Sequence, residues 1–290
     1  MPRIALGTAV AARPLDDDLA PLSVALKVAG AEPVIACWDD PSVFWGGFDM
    51  IVLRSTWDYP QRIAQFLAWV DLTRGVTRVM NPLATIRWNA DKHYLADLTA
   101  AGVSAVATGF VAPGSAIAWP DSPEFVVKPT ISAGSRDTAR FARADTTHAT
   151  ALVEQIWASG RTAMVQPYLD GVDHAGEHAL VYFDGVFSHA FRKGPLLVRG
   201  TSPTEHLFAA EQIDPATPTP VQIEVADAAI AVAASHTGEL PLYGRVDLVP
   251  GPDGTPVVLE LELIEPSVYL HTTPGSADRF AAAILERIGR

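Results

Sequence analysis

The sequence predicts an α/β chain that continues as α+β, and three observations carry this. The first hundred residues alternate buried strands with amphipathic helices, the pattern of a parallel sheet covered by helices. From about residue 105, short β-prone runs follow one another, several joined by turn residues, as in antiparallel sheet. The stretch 244–267 (GRVDLVPGPDGTPVVLELELIEPS) reads as a hairpin whose acidic residues fall on one face.

Taken in order, residues 3–10 are apolar and β-prone. Only Arg3 precedes that run and Asp16-Asp17-Asp18 follow it, so it is a first buried strand and not a signal core. Residues 18–29 set Leu19, Leu22, Ala25, Leu26 and Ala29 on one helical stripe that Gly30 closes. Residues 32–38 and 48–54 are the next two strands, and 61–72 is an amphipathic helix after Pro60. Asn81-Pro82 opens a connection, and residues 89–101 read as a helix capped by Asn89 or Asp91, carrying Lys92 and stopped by Gly102. Strands are expected at 106–111, 124–128 and 137–141, a helix at 147–159 and a further strand from Ala163. Residues 180–183 and 186–192 pair across Asp184-Gly185. Residues 201–219 hold three prolines and no periodicity, which makes them a long loop, disordered or a lid. The apolar helix 221–236 is core or interface, so a homo-oligomer stays open, and 277–288 is the closing helix.

A chain of 290 residues with 49% hydrophobic and 19% charged residues is globular and long enough for two or three lobes. Its net charge of −12 argues against a nucleic-acid partner. No apolar run reaches membrane-spanning length. The single cysteine, Cys37, excludes an internal disulfide and reads as a small buried hydrophobe. Together these place the protein in the cytoplasm.

Ligands of an open parallel sheet collect beyond the carboxyl ends of its strands. That edge holds Asp16, Asp17 and the segment Arg54-Ser55-Thr56-Trp57-Asp58-Tyr59, either a small-molecule recognition loop or a helix-capping turn with two packed aromatics. Lys128 ends a strand and leads into Thr130-Ile131-Ser132-Ala133-Gly134-Ser135-Arg136-Asp137. Such a small-residue loop lets backbone N–H groups approach phosphate oxygens while the lysine adds a point charge; the plain reading is a loose hairpin turn. Gln166-Pro167-Tyr168-Leu169 is a strand running into a linker that offers backbone groups to a planar base, or a hinge only. Asp173 and Glu177 follow, and a carboxylate there would suit ribose hydroxyls. In the terminal hairpin Asp247 falls near Glu260 and Glu262. Three adjacent carboxylates repel unless a cation lies among them, and hard oxygen ligands suit Mg²⁺; the plain alternative is a solvated face.

This order resembles the ATP-grasp superfamily, in particular its glutathione synthetase and RimK-like branch of carboxylate–amine ligases. The resemblance runs from about Asn89 to the end, and the N-terminal lobe is similar to the domain that precedes the ATP-grasp there. It implies an ATP-grasp fold divided at 1–104, 105–165 and 166–290: a pre-ATP-grasp domain, a central subdomain acting as lid, and a C-terminal subdomain. It implies ATP and Mg²⁺ (or Mn²⁺) as cofactors, with Lys92 and Lys128 on the phosphates and Gly134 and Ser135 in the covering loop. Gln166, Pro167, Tyr168 and Leu169 correspond to the adenine hinge, and Asp173 or Glu177 to the ribose acid. Asp247, Glu260 and Glu262 correspond to the metal ligands, although the family commonly has Asn where Glu262 stands. Arg245 would stabilise developing charge, and Arg192 and Lys193 are further basic candidates.

The chemistry this implies is transfer of the γ-phosphoryl group to a substrate carboxylate, then attack of an amine or hydroxylamine-type nitrogen on the acyl phosphate. The loop 132–137 and the segment 201–219 are the expected covers against water. Substrate recognition falls to Arg54, Ser55, Thr56, Trp57, Asp58, Tyr59, Arg245, Glu265, Ser267 and His174. Arg54 could pair a carboxylate, and Asp58 or Glu265 an ammonium, which suits an amino acid or a small derivative. Within the branch, chain size and the 53–59 segment are most similar to the cyclo-ligases that close O-ureido-serine into cycloserine. A ligase of two separate amino acids shares every ATP-side residue, and a nucleotide binder without ligase activity is a third reading.

Overall fold

The computed structural model describes residues 1–197 and 212–289. Its N-terminal part is a parallel sheet of β1 (Arg3–Thr8), β2 (Glu32–Cys37), β3 (Met50–Ser55) and β4 (Arg78–Met80), in the order β2-β1-β3-β4. Between the strands run α1 (Leu19–Val28) and α2 (Ile63–Thr73). The two-residue period of the strands divides their side chains between two cores. Ile4, Leu6, Met50 and Val52 turn one way, toward α1; Ala5, Ile51 and Leu53 turn the other way, toward Phe66 and Val70 of α2. α1 stops at Gly30, whose left-handed backbone (φ +89°) lets Ala31 donate back to the Leu26 carbonyl at 2.9 Å.

The expected single helix 89–101 is instead two short helices, α3 (Leu83–Asn89) and α4 (Tyr94–Ala100), and Lys92 lies in the turn between them. Asn89 does not cap a helix. Its amide bridges Leu261 O and Leu263 N, both at 2.7 Å, while Lys92 N–H donates to Thr130 O at 2.9 Å. These long-range bonds hold the turn open where local periodicity alone favours one helix.

The middle of the chain is an antiparallel sheet of β5 (Gly109–Val111), β6 (Glu124–Pro129), β7 (Ala139–Ala142) and β8 (Ala163–Pro167), ordered β5-β8-β6-β7. The helix α5 (Thr146–Ala158) covers it through Leu152, Val153 and Ile156. After the short α6 (Gly171–Ala175) comes a five-stranded antiparallel sheet. It consists of β9 (Glu177–Phe183), β10 (Val186–Lys193), β11 (Ile213–Ala216), β12 (Tyr243–Pro250) and β13 (Pro256–Glu262), ordered β11-β10-β9-β12-β13. β9 and β10 join through Asp184 and Gly185, both at positive φ, as the Asp-Gly pair predicts. The strand β11 falls inside the segment expected to be a loop; the part of that segment at 201–211 lies outside the described residues.

α7 (Pro220–Thr237) starts with a capping box between Thr219 and Gln222, and its Ala226, Ala229, Ile230 and Ala233 are buried on the C-terminal sheet. That side of α7 is therefore core. The closing helix α8 (Ser276–Gly289) packs against α1, so Phe280 and Ile284 share a core with Leu6 of β1 and Val181 of β9. The N-terminal and C-terminal sheets are thereby joined by one apolar interior. Among the described residues no helix is long and apolar enough to cross a membrane.

Candidate active site

A cavity lies where the middle sheet faces the C-terminal sheet, and it is lined from several places in the chain, among them the turn that carries Lys92 and the segment that carries Glu265, Ser267 and Tyr269. β6 and the loop after it give Lys128, Ser132, Gly134 and Ser135; the end of β8 gives Gln166, Pro167, Tyr168 and Leu169. The C-terminal sheet gives Glu177, Lys193, Arg245, Glu260 and Glu262, and Trp57 and Tyr59 close the N-terminal side.

Lys92 Nζ donates to Ser132 O at 2.8 Å and pairs with Glu260 at 2.9 Å. Lys128 is only 8% exposed, and neither a hydrogen bond nor an ion pair reaches its ammonium among the described residues. Burial lowers its pKa, with Glu260 opposing. The loop 132–137 turns sharply: Gly134, Ser135 and Asp137 all have positive φ, and Asp137 is tied to Arg161 at 2.5 Å. The Gln166 side chain donates to Thr108 Oγ1 at 2.9 Å, so the base-sized hinge offers its backbone to the cavity more than that amide.

The two acids considered for a ribose separate. Asp173 is outside the cavity wall, where it accepts from Tyr168 Oη at 2.5 Å and pairs with Arg140 at 3.2 Å. The guanidinium of Arg140 lies 3.5 Å above the Tyr168 ring. Glu177 lines the cavity, but it pairs with Lys193. Arg192 faces away and pairs with Asp214 at 2.7 Å.

The terminal hairpin has the expected register, Asp247 opposite Glu260 and Arg245 opposite Glu262. The acidic trio does not point at one spot, however. Asp247 is buried and gripped by Arg245 (2.7 and 2.8 Å) and by Lys193 (2.8 Å), which holds its carboxyl far below the usual range despite burial. Side-chain cations therefore relieve the repulsion that sequence reasoning assigned to a metal, and among the described residues no cluster of three acids or imidazoles is arranged to hold an ion. Glu260 and Glu262 do share the cavity wall. Lys92 and Lys128 lower the Glu260 pKa against its burial, while burial, with Asp247 and Glu260 nearby, lifts the Glu262 carboxyl to about 7 even with Arg245 beside it. Each already has a side-chain cation beside it, Lys92 for Glu260 and Arg245 for Glu262, and their carboxylate oxygens are of the hard kind that a divalent cation takes.

On the opposite side the expected recognition segment divides. Trp57 and Tyr59 line the cavity; Arg54, Ser55, Thr56 and Asp58 do not. Arg54 is 1% exposed, donates to Pro266 O at 2.8 Å and lies 3.5 Å from Asp18, so it serves the fold and not a substrate carboxylate. Ser55 bonds Thr8 at 2.7 Å. Asp58 accepts from Trp38 Nε1 at 2.9 Å and from Arg62, which consumes its charge. His174 on α6 is also outside the cavity wall.

Asp16 and Asp17 were placed on the functional edge, but neither lines the cavity; the next residue has the long-range role. Asp18, 3% exposed, accepts the N–H groups of Val268, Tyr269 and Leu270 at 2.8, 3.0 and 2.7 Å. Tyr269 sits at φ +44°, and the three successive N–H groups form an anion-holding nest around the carboxylate. His189 bonds Val268 O at 2.7 Å and Arg245 bonds Ser267 O at 2.8 Å. Ser267 and Tyr269 are thereby fixed on the cavity wall. Sequence reading missed Asp18, His189 and Tyr269; Tyr269, two residues past Ser267, carried the only local signal.

Residues 4–81 match the family described as the N-terminal domain of D-cycloserine synthetase DcsG. The cycloserine biosynthesis protein DcsG of Streptomyces lavendulae is 42% identical over 299 residues, covering 98% of each chain. A crystal structure of D-cycloserine synthetase DcsG superposes with a TM-score of 0.93 at 40% identity, over 99% of both chains. The D-alanine–D-alanine ligase of Bacillus anthracis, solved with ATP, shares the fold at a TM-score of 0.67 and 13% identity, over 100% of this chain and 98% of that one.

Proposed function

The chain belongs to the D-cycloserine synthetase DcsG family of ATP-grasp ligases, and on that premise we propose that it converts O-ureido-D-serine into D-cycloserine at the expense of ATP. The observation that carries this reading is the 42% identity along 98% of both chains. The cavity supports it, since lysines, glutamates and an arginine converge there from separate sheets.

In this reading Lys128 and Lys92 take the phosphates, with the loop around Gly134 and Ser135 covering them. The base lies along 166–169, and Glu177 is the ribose acid on the cavity wall. Glu260 and Glu262 hold magnesium from the wall, with Asp247 behind them. Bound magnesium neutralises the triphosphate and makes its terminal phosphorus easier to attack. The substrate carboxylate attacks that phosphorus, ADP leaves, and an acyl phosphate results. The oxygen-bonded nitrogen of the ureido group in the same molecule then attacks the acyl carbon and gives up its proton. Arg245, anchored by Asp247 and Ser267 O, is placed to stabilise the oxyanion, and phosphate departs. That nitrogen carries a carbamoyl group that the product ring lacks, so water must also cleave the N–C(carbamoyl) bond, returning a proton to the ring nitrogen and releasing carbamate, which breaks down to carbon dioxide and ammonia. The division into a pre-ATP-grasp unit, a lid at 105–165 and a C-terminal unit belongs to the same proposal.

The test is incubation with MgATP and O-ureido-D-serine as sole organic substrate, with ADP and cycloserine measured together. Stoichiometric formation of both is expected. ADP that appears only when a second amino acid is added would replace cyclisation by intermolecular ligation, and no ADP above background would remove the substrate assignment.

A further inference from the structure

The charged groups on the cavity wall are nearly all spoken for. Lys92 holds Glu260, Lys193 holds Glu177 and Asp247, and Arg245 holds Asp247 and Glu262. Among the described residues two charges on that wall lack a partner, and they have opposite sign. One is Lys128, which faces the expected phosphates. The other is Glu265, whose residue is 8% exposed and whose carboxylate makes no hydrogen bond or ion pair.

A buried carboxylate without a partner is costly, and a binding site keeps one only where a ligand supplies the missing charge. Burial first, then the repulsion of Glu262 and Glu260, drives the Glu265 carboxyl well above its ordinary range, with Lys92 and Arg245 opposing. A divalent ion needs several oxygens at once. Glu262, Lys92, Glu260 and Arg245 lie within charge range of Glu265 without pairing with it among the described residues, and two aromatic residues share its part of the wall. Trp57 donates its indole N–H to the Glu265 carbonyl at 3.2 Å, and Tyr59 feels the Glu265 charge. A carboxylate beside aromatic rings is the surrounding of an organic ammonium. The other acid considered for this task, Asp58, is occupied by Trp38 and Arg62.

We infer that Glu265 is the anchor for the α-ammonium group of the amino-acid substrate, in a subsite walled by Trp57 and Tyr59. This rests on reading the cavity as a carboxylate-activating site. It also fixes which nitrogen reacts. An α-amine held as an ammonium at Glu265 has no free lone pair, so the attacking nitrogen must come from the far end of the molecule. Glu265 thus directs the enzyme toward ring closure and away from joining amino groups.

The test compares O-ureido-D-serine with its des-amino analogue, 3-(ureidooxy)propanoate, on wild type and Glu265→Gln. ADP formation gives kcat/KM, and thermal shift of the MgADP-loaded protein gives binding without chemistry. Wild type should prefer the amino compound by ~10–100-fold, the worth of a charge-assisted hydrogen bond. Glu265→Gln should narrow that ratio to within ~3-fold while the KM for ATP stays within ~2-fold. Glu265→Asp, which keeps the charge, should retain part of the preference. A wild type indifferent to the amino group, or a preference that survives in Glu265→Gln, overturns the subsite. A Glu265-dependent preference in binding with no ADP formed leaves the subsite standing and removes the cyclisation reading.

Discussion

Lys128 shows at the residue scale how function and stability oppose each other. It is a buried cation without a hydrogen-bond or ion-pair partner among the described residues, and its lowered pKa records the cost of keeping it charged. Replacing it with a neutral side chain of similar length removes that cost. Lys128→Met should therefore raise the melting temperature by roughly 2 °C, which corresponds to ~1 kcal/mol in a chain of this size, and lower ATP-dependent turnover by ~1,000-fold or more. A variant that melts lower and still turns over would show that the lysine is structural. The residue type and its place before a glycine-serine loop were legible in the sequence. Its lack of a hydrogen bond or ion pair among the described residues was not, because that depends on where Glu260 and Glu177 arrive from other strands.

At the scale of an element, the segment 267–270 is shaped from outside. Its own residues do not specify the left-handed turn at Tyr269; the carboxylate of Asp18, 250 positions away, does so by drawing three successive N–H groups to itself. Asp18→Asn keeps the volume but turns an NH₂ or a weaker acceptor toward those donors. The expected loss is ~2 kcal/mol, from hydrogen bonds to a charged acceptor. Because Ser267 and Tyr269 line the substrate side of the cavity, the KM for O-ureido-D-serine should rise by ~10-fold while that for ATP stays within ~2-fold. Equal changes in both constants would make Asp18 a general stabiliser with no special link to the substrate side. The split helix around Lys92 follows the same logic, since Asn89 and the Lys92 N–H are held by Leu261, Leu263 and Thr130.

Over the whole molecule, three sheets meet at one cavity while the first and last sheets share an interior. Two histidines inside the C-terminal sheet tie that arrangement to pH. Burial pushes the pKa of His178 and of His189 below the ordinary imidazole value of 6.5. Between each folded value and 6.5 the unfolded chain binds more protons, so stability is fully present above that window and is lost as pH falls through it. The raised carboxyls of Glu177, Glu262 and Glu265 act with the opposite sign over this range, so the histidine share is read as a difference: relative to its own value at pH 7–8, the chemical-denaturation midpoint of His189→Gln should fall less below about pH 6.5 than that of wild type. An unchanged slope in that variant would mean that groups elsewhere carry the acid sensitivity.

Sequence alone determined the parallel N-terminal sheet, the antiparallel hairpins and the order of lysines, small-residue loop, hinge and terminal acids. Those features are local: strand period, turn residues and spacing are written within a dozen neighbours. It could not decide which charges stand free. Asp58, Arg54, Asp173 and Asp247 look as available in the sequence as Glu265 and Lys128, yet the fold sets an opposite charge beside each of the first four: Arg62, Asp18, Arg140, and Lys193 with Arg245. Whether a charge is spent inside the protein or kept for a ligand depends on partners brought from distant strands, and only the tertiary structure supplies them.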